Sequence, residues 1–346
     1  MSRLTETGLW QDLCELPSAV QATLDQADGF DDAAALLRRG EVRRIVATGN
    51  GAAYYVAHAL WLSSLDSDRV EPPVVAVPGG LVAKGRFRWR RGDLLLAVSS
   101  SGEFRDVVEA VELGAPRPFV AITARPESTI GAAAGARAVI STHDQRAVTH
   151  TQVFCAGVVT ALAVWARAFG DRQIADAVSG AAEVCERALK AATSWAASDA
   201  LDRVPRPTAA VSLGSGHAWT AALETALLLR EVACVPAEGA ETREGATSSM
   251  FGLSAGHLVV SVGPHDDPLL VEAEQRCRET AAAVVSLPGD VEAPHQLGAI
   301  ASFPSSVALS AALGLRAGLD VDKPSWVDAY YATARALESG ETALAE

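Results

Sequence analysis

The sequence predicts an α/β fold built as two tandem doubly wound parallel-sheet domains. Three observations carry that expectation. Short apolar runs alternate with stretches of helical length, the pattern of βαβ units. The alternation begins near residue 40 and starts again near residue 206. The two rounds also share landmarks: Gly49 and Gly214 each open a Gly-x-Gly turn and lie 165 residues apart, and the strands at Leu94 and Leu258 lie 164 apart. Nearly equal offsets for separate features are what a duplicated domain produces.

The elements follow in order. Leu13, Leu16, Val20, Leu24, Leu36 and Leu37 recur at helical spacing and mark 1–39 as a helical entry segment. The first α/β domain spans 40–170. Arg44–Thr48 reads as a strand, Gly49-Asn50-Gly51 as a turn and Ala52–Leu65 as a helix. Val74–Val77, Leu94–Val98, Phe119–Thr123 and Ala138–Ser141 read as further strands, and Thr149–Phe169 as a long apolar helix. Residues 171–205 form a helical connector. In the second domain, 206–325, Ala209–Leu213 is a strand, Gly214-Ser215-Gly216 a turn and Ala218–Glu231 a helix. His257–Val262, Val284–Leu287 and Ile300–Phe303 are strands there, with helices at Leu269–Ala282 and Ser305–Ala317. Residues 326–346 are a C-terminal tail. Doubly wound sheets bind ligands outside the carboxyl ends of their strands, where both Gly-x-Gly turns fall.

The most informative stretch is Leu94–Asp106. A buried strand leads into Ser99, Ser100, Ser101 and Gly102, and a helix opens on Glu103. Three hydroxyls beside the partnerless N–H groups of a first helical turn make a site for an anion. Gly102 lets backbone approach a ligand closely. The same residues also fit a plain helix cap, with Ser101 capping and Glu103 and Asp106 favouring the dipole.

Composition narrows the function classes. The 346 residues carry a formal net charge of −13. That balance argues against a nucleic-acid groove or an anionic membrane surface, so an anionic small molecule needs a local site. Five scattered cysteines without a CxxC pattern read as reduced core residues. Neither an apolar N-terminal signal core nor a membrane-spanning run of about 18 apolar residues is apparent, which predicts a cytoplasmic protein with no membrane partner. The histidines show no metal-ligand spacing. The Gly-x-Gly turns lack the third glycine and acidic residue of a dinucleotide site, and no Gly-Lys-Ser/Thr loop is present. No metal and no cofactor are expected.

Five motifs, in order along nearly the whole chain, resemble the sugar isomerase (SIS) domain family, in particular the isomerase half of glucosamine-6-phosphate synthase and related aminosugar-phosphate isomerases and deaminases. Leu13-Cys14-Glu15-Leu16-Pro17 is similar to the family's entry segment. Gly49-Asn50-Gly51-Ala52-Ala53-Tyr54 is similar to its first glycine turn, and Ser99-Ser100-Ser101-Gly102-Glu103 to its phosphosugar loop. Gly214-Ser215-Gly216, with Ala222–Glu231 and Ala237-Glu238, resembles the start of its second domain. Gly318-Leu319-Asp320-Val321-Asp322-Lys323-Pro324 resembles its C-terminal Gly-x-Asp-x-Asp-x-Pro segment.

The resemblance implies flavodoxin-like SIS domains, a sugar-phosphate or aminosugar ligand, and a homodimer. It implies phosphate binding by Ser99, Ser100 and Ser101, and substrate contacts from Gly49, Asn50, Gly51, Thr151, Gly214, Ser215 and Lys323. It implies that Glu231 is the base that moves a proton between neighbouring sugar carbons. Burial against Leu227, Leu228 and Leu229 would raise its pKa toward that task; a solvated surface carboxylate is the alternative. The chain departs from the family pattern elsewhere. Ser100 replaces a Gln and Phe104 a Thr. Ala52-Ala53 replaces a Thr-Ser pair, and Leu228 a Lys. Thr247 stands where the ring-opening histidine would be, and Ala329 where a lysine would be. His217, at a helix start, and His150 are candidates for the missing acid, with a capping or core role as the alternative; His217 is paired with Glu231 as the catalytic expectation. Glu238 and Glu244 are nearby carboxylates, and Glu244 is expected to pair with Arg230 or Arg243. Trp326, Tyr330 and Tyr331 are expected to anchor the tail.

The functional expectation is an isomerase, or a deaminase or deglycase, acting on an aminosugar phosphate through a glutamate base and an enediol or enamine. The alternative is a sugar-phosphate sensor without turnover, motivated by the losses at Ala52, Ala53, Thr247 and Ala329. A lyase breaking a C–O bond beside a carbonyl is a third reading.

Overall fold

The computed structural model describes residues 2–67, 72–289 and 291–334. The chain forms two compact units. One comprises Thr23–Thr142, Ala156–Ala175 and Ser325–Glu346, the other Met1–Ala22, His143–Cys155 and Asp176–Pro324.

The former is built on a parallel sheet of β1 (Arg44–Gly49), β2 (Val74–Pro78), β3 (Asp93–Val98), β4 (Val120–Thr123) and β5 (Ala136–Val139), in the order β2-β1-β3-β4-β5. Every residue of β3 and β4 is buried. That accounts for the absence of polar alternation in Leu94–Val98, because an inner strand of a parallel sheet is covered on both faces. Leu95, Ala97 and Ala121 of these strands pack with Val107 and Val111 of the helix Arg105–Glu112 and with Phe119 and Ile130.

The other unit carries β6 (Ala209–Gly214), β7 (Ala237–Glu241), β8 (His257–Val262) and β9 (Ala283–Ser286), all parallel, in the order β7-β6-β8-β9. Each sheet therefore places its first strand inside, its second outside and its third on the other flank, the flavodoxin-like winding. The helix Ala218–Glu231 packs on this sheet and on the helix Gly298–Arg316, where the hydroxyls of Thr225 and Ser306 share a buried 2.7 Å hydrogen bond. A Cβ on Gly239 would meet Leu223 Cα at 2.6 Å, so β7 can press against the helix only as glycine.

Several expectations need correction. Ile300–Phe303 is not a strand but the start of Gly298–Arg316, a nearly uniformly buried helix. A short apolar run does not distinguish a buried strand from a buried helix turn. By length and composition His295–Arg316 could also cross a membrane, contrary to the expectation that no such run exists; 89% of its apolar window is buried inside the protein, as in a core helix. Thr149–Phe169 begins its helix only at Val153, because the preceding loop is tied down by side chains described below. The strand expected at Ala138–Ser141 lies at Ala136–Val139. The strand β7 was not anticipated at all, since Ala237–Glu241 has two glutamates and a glycine; it lies at a sheet edge, where such residues are tolerated. All five cysteines are free thiols, three of them buried.

Candidate active site

Glu231 is the last residue of the helix Ala218–Glu231. Amphipathic packing of the run Ala222–Leu229 onto the sheet carries it there. It is half-buried, and desolvation pushes its pKa from an ordinary 4.5 to about 7, with the adjacent Arg230 guanidinium pulling the other way. Arg230 is itself drawn aside, its Nη1 donating to Ala237 O at 2.6 Å. Two turns back on the same helix lies Glu224, a buried carboxyl whose Oε2 has no hydrogen-bond partner among the described residues. Burial holds its pKa well above the carboxylate range, and the Glu231 charge adds to that. An unpaired buried carboxylate is costly, so Glu224 is held as the neutral acid. Residues seven apart share a helix face. Both carboxylates stand in the sequence seven residues apart, but nothing local there distinguishes a buried Glu224 from a solvated one.

The opposite end of this helix holds the other glycine turn. A Cβ on Gly214 would meet Ala218 O at 2.2 Å, so glycine is required where β6 turns into the helix. Ser215 Oγ donates to the buried Thr242 Oγ1 at 2.8 Å and ties this turn to the end of β7. His217 is buried, and its ring meets that of His295 edge-on at 5.1 Å. The helix has 14 residues and is about 20 Å long, so it keeps His217 apart from Glu231. The two expected catalytic residues therefore do not converge on one atom within this unit. Thr247 Oγ1 donates to Arg243 O at 2.8 Å inside the short helix Thr242–Thr247. Glu244 does not take the expected arginine: its Oε1 accepts from Ser248 Oγ at 2.9 Å, and Arg243 faces Glu272 at 3.5 Å. Glu238 is exposed and lines a cavity of about 440 Å³ with Ser248, Ser249 and His257.

In the other unit the serine turn follows β3 directly. Its helix begins at Arg105, with Phe104 as cap residue, rather than at Glu103. The physical reason lies in side chains. Ser101 Oγ accepts from Glu103 N at 3.2 Å, and the Glu103 carboxylate accepts from Thr129 N and Oγ1 at 2.8 and 2.7 Å. These bonds hold residue 103 in the turn. Ser99 is buried and its Oγ accepts from Gly102 N at 3.2 Å; half-exposed Ser100 gives its carbonyl to Thr123 Oγ1. Gly102 has φ +66°, and a Cβ there would lie 1.8 Å from Ser128 Oγ. Beside this turn, Asn50 Nδ2 donates to Asp106 Oδ2 at 2.9 Å, and Gly79 approaches both Gly49 O and Asp106. Gly49 cannot carry a Cβ, which would sit 2.5 Å from Ala53 C, and Gly51 has φ +54°. The ends of β1, β2 and β3 thus bring Gly49, Asn50, Gly51 and the three serines to one sheet edge. The Tyr330 ring lies 6.4 Å from that of Phe104 and 5.4 Å from those of Trp326 and Tyr331, so the tail aromatics stack with one another and reach the cap residue of the helix that follows the serine turn.

Thr151 belongs to a loop whose positions are set by two of the family-like motifs. Buried Asp12 accepts from Arg146 N, Ala147 N and Arg146 Nη1 at 2.8, 2.9 and 2.7 Å, and Glu15 of the entry segment takes the other guanidinium arm. Asp322 accepts from Gly8 N and Leu9 N, both at 2.8 Å. Its carbonyl accepts from Val148 N at 2.9 Å. Thr151 Oγ1 is buried without a partner among the described residues. Lys323 is exposed, with its backbone N held by Asp320 Oδ1 at 3.0 Å; His150 and Ala329 are exposed.

No family model matches the chain. Two curated proteins named glutamine–fructose-6-phosphate aminotransferase (isomerizing), from Methanothermobacter thermautotrophicus and Sulfolobus acidocaldarius, are each 26% identical to it. They align over 286 and 289 residues, 78% and 80% of this chain and 45% and 47% of theirs. The chain thus spans about half the length of the curated relatives it matches. Among solved structures, the C-terminal domain of glucosamine-fructose-6-phosphate aminotransferase from Francisella tularensis superposes with a TM-score of 0.77 at 17% identity, covering 92% of this chain and 98% of that one. With the ordered motifs and parallel sheets described above, these likenesses support the resemblance of the chain to the sugar isomerase (SIS) domain family.

Proposed function

We propose that the protein processes a phosphorylated sugar or aminosugar, as an isomerase or a deaminase or deglycase, with Glu231 as base. The observation that carries this reading is the half-buried Glu231 with a pKa near 7, on one helix face with the neutral acid Glu224. A base poised near the working pH abstracts and returns protons most effectively. Glu231 takes the proton from the carbon next to a carbonyl or imine. It returns that proton to the former carbonyl carbon while the adjacent hydroxyl proton passes to the former carbonyl oxygen, which gives the isomer; with an amine in place of that hydroxyl, the imine so formed is hydrolysed by water with release of the amine. The two sheets are read as SIS domains at 40–170 and 206–325, with 1–39, 171–205 and 326–346 as entry segment, connector and tail. Phosphate would dock at the serine turn, where first-turn N–H groups are available. The names of the relatives favour a hexose-phosphate substrate, and the family habit favours a cytoplasmic homodimer.

A sensor without turnover is the second reading. It is favoured by Thr247, whose hydroxyl is spent on its own helix, and by Ala52-Ala53 beside Asn50. A thermal-shift screen with sugar phosphates, aminosugar phosphates and their unphosphorylated forms, followed by product analysis, separates the two. Product formation that disappears in Glu231→Gln supports the enzyme; stabilisation with unchanged ligand supports the sensor; no shift with any phosphorylated sugar removes both.

A further inference from the structure

We propose a second anion site, at the opposite edge of the β1–β5 sheet from the serine turn, that takes a small ligand with two linked phosphates, of the nucleoside-diphosphate class. A cavity of about 600 Å³ opens where the chain enters β1, β3 and β4, and Arg39, Arg43, Arg91 and Arg117 line it. Its size falls in the range of small-molecule sites. Two lining carboxylates oppose these four charges, Glu41 and Asp93. Asp93 is already neutralised: Arg44 grips it with two bonds of 2.9 and 2.6 Å, and Arg90 N donates to it at 2.7 Å. The cavity is therefore locally positive in a chain whose formal net charge is −13. Concave sites lined by one sign of charge concentrate the opposite ion.

The surroundings are built to present these guanidiniums. Arg117 Nη2 is tethered to Val111 O at 3.1 Å. The Arg43 stem lies over Gly92, where a Cβ would meet its Cγ at 2.6 Å, and Arg43 N donates to Gly92 O at 2.7 Å. Arg39 and Arg91 are exposed, and their side chains make no ion pair or hydrogen bond among the described residues. The sequence repeats the emphasis: residues 38–44 and 86–91 together hold eight arginines of the chain's 29 Lys and Arg. Guanidinium groups bind phosphate oxygens in a forked, two-bond geometry, and the charge of two linked phosphates balances four of them more closely than that of one. The strand β3 runs from Asp93 at the cavity to Val98 before the serine turn, a separation of about 17 Å, so one ligand cannot fill both. This inference stands independently of the proposed reaction.

The test is calorimetric titration of the full chain with inorganic pyrophosphate, with ADP and UDP, and with orthophosphate, at low and high salt. Pyrophosphate and at least one nucleoside diphosphate should bind more tightly than orthophosphate. Arg39→Ala/Arg91→Ala should weaken that binding at least tenfold while leaving the thermal unfolding temperature unchanged. Arg91→Glu is a second variant with the same expectation. Ser101→Ala should leave it intact. Absence of binding would overturn the proposal. So would binding lost in Ser101→Ala but kept in the arginine variants, which would place the probe on the serine turn. A short duplex DNA that displaces pyrophosphate and binds more tightly would overturn it in favour of a nucleic-acid surface.

Discussion

Replacing Glu231 with Gln should stabilise the folded protein and, on the proposed reading of Glu231 as base, remove turnover. In the unfolded chain this carboxyl titrates near 4.5, and in the fold near 7. Between those values the folded state keeps a proton that the unfolded state has released, so stability falls as pH rises through that window. The difference, at 1.36 kcal/mol per pH unit, amounts to about 3 kcal/mol at most, reduced by the part of the side chain that reaches water. Glutamine has the same shape and no charge to desolvate. By urea titration at closely spaced pH, Glu231→Gln should match the wild type below pH 4.5 and exceed it by about 1–3 kcal/mol above pH 7. The wild-type curve alone would mislead, because His58 works in the opposite sense. Burial lowers its pKa from 6.5 to about 4, so its contribution is present above 6.5 and lost as pH falls toward 4. The difference between variant and wild type cancels His58. Identical curves across pH 4–8 would refute the claim that burial tunes this carboxyl, and with it the reason for assigning it the role of base.

Further expectations follow from individual contacts. Gly102→Ala forces a Cβ to 1.8 Å from Ser128 Oγ at a positive φ; it should cost about 2 kcal/mol or more by urea denaturation and abolish phosphosugar-dependent stabilisation. Asp12→Ala leaves Arg146 N and Ala147 N without their acceptor and should cost about 3 kcal/mol, with Asp12→Asn less harmful; equal stability of Ala and wild type would argue against the clamp. If the helix separates His217 from the reacting carbon, His217→Ala should leave kcat within a few-fold of wild type, whereas Glu231→Gln lowers it by about a hundredfold or more. Tyr330→Ala should raise KM for a phosphorylated substrate without changing kcat, if its ring over Phe104 bounds the serine turn.

Much of this molecule could be read from residue patterns because those patterns act locally. An uninterrupted apolar run that ends in a turn ahead of a helix marks a strand covered on both faces, as in Leu94–Val98. Glycines that follow a strand mark turns where a Cβ would strike the next helix, as at Gly49 and Gly214. Helical spacing set Ala218–Glu231 to its observed bounds. Tertiary structure decided what depends on remote partners. The strand β7 pairs in register with β6 despite its poor strand composition, because burial of Ala240 and the close approach of Gly239 to Leu223 outweigh local preference. The start of the helix after the serine turn depends on Thr129, which lies 26 residues beyond Glu103. The distance along a helix, rather than residue type, kept His217 from Glu231, and burial of Glu224 made it an acid where its letter in the sequence suggested only charge. Local rules fix which backbone each segment prefers; the pKa values, the side-chain partners and the convergence of residues on a site arise only when distant segments exclude water together.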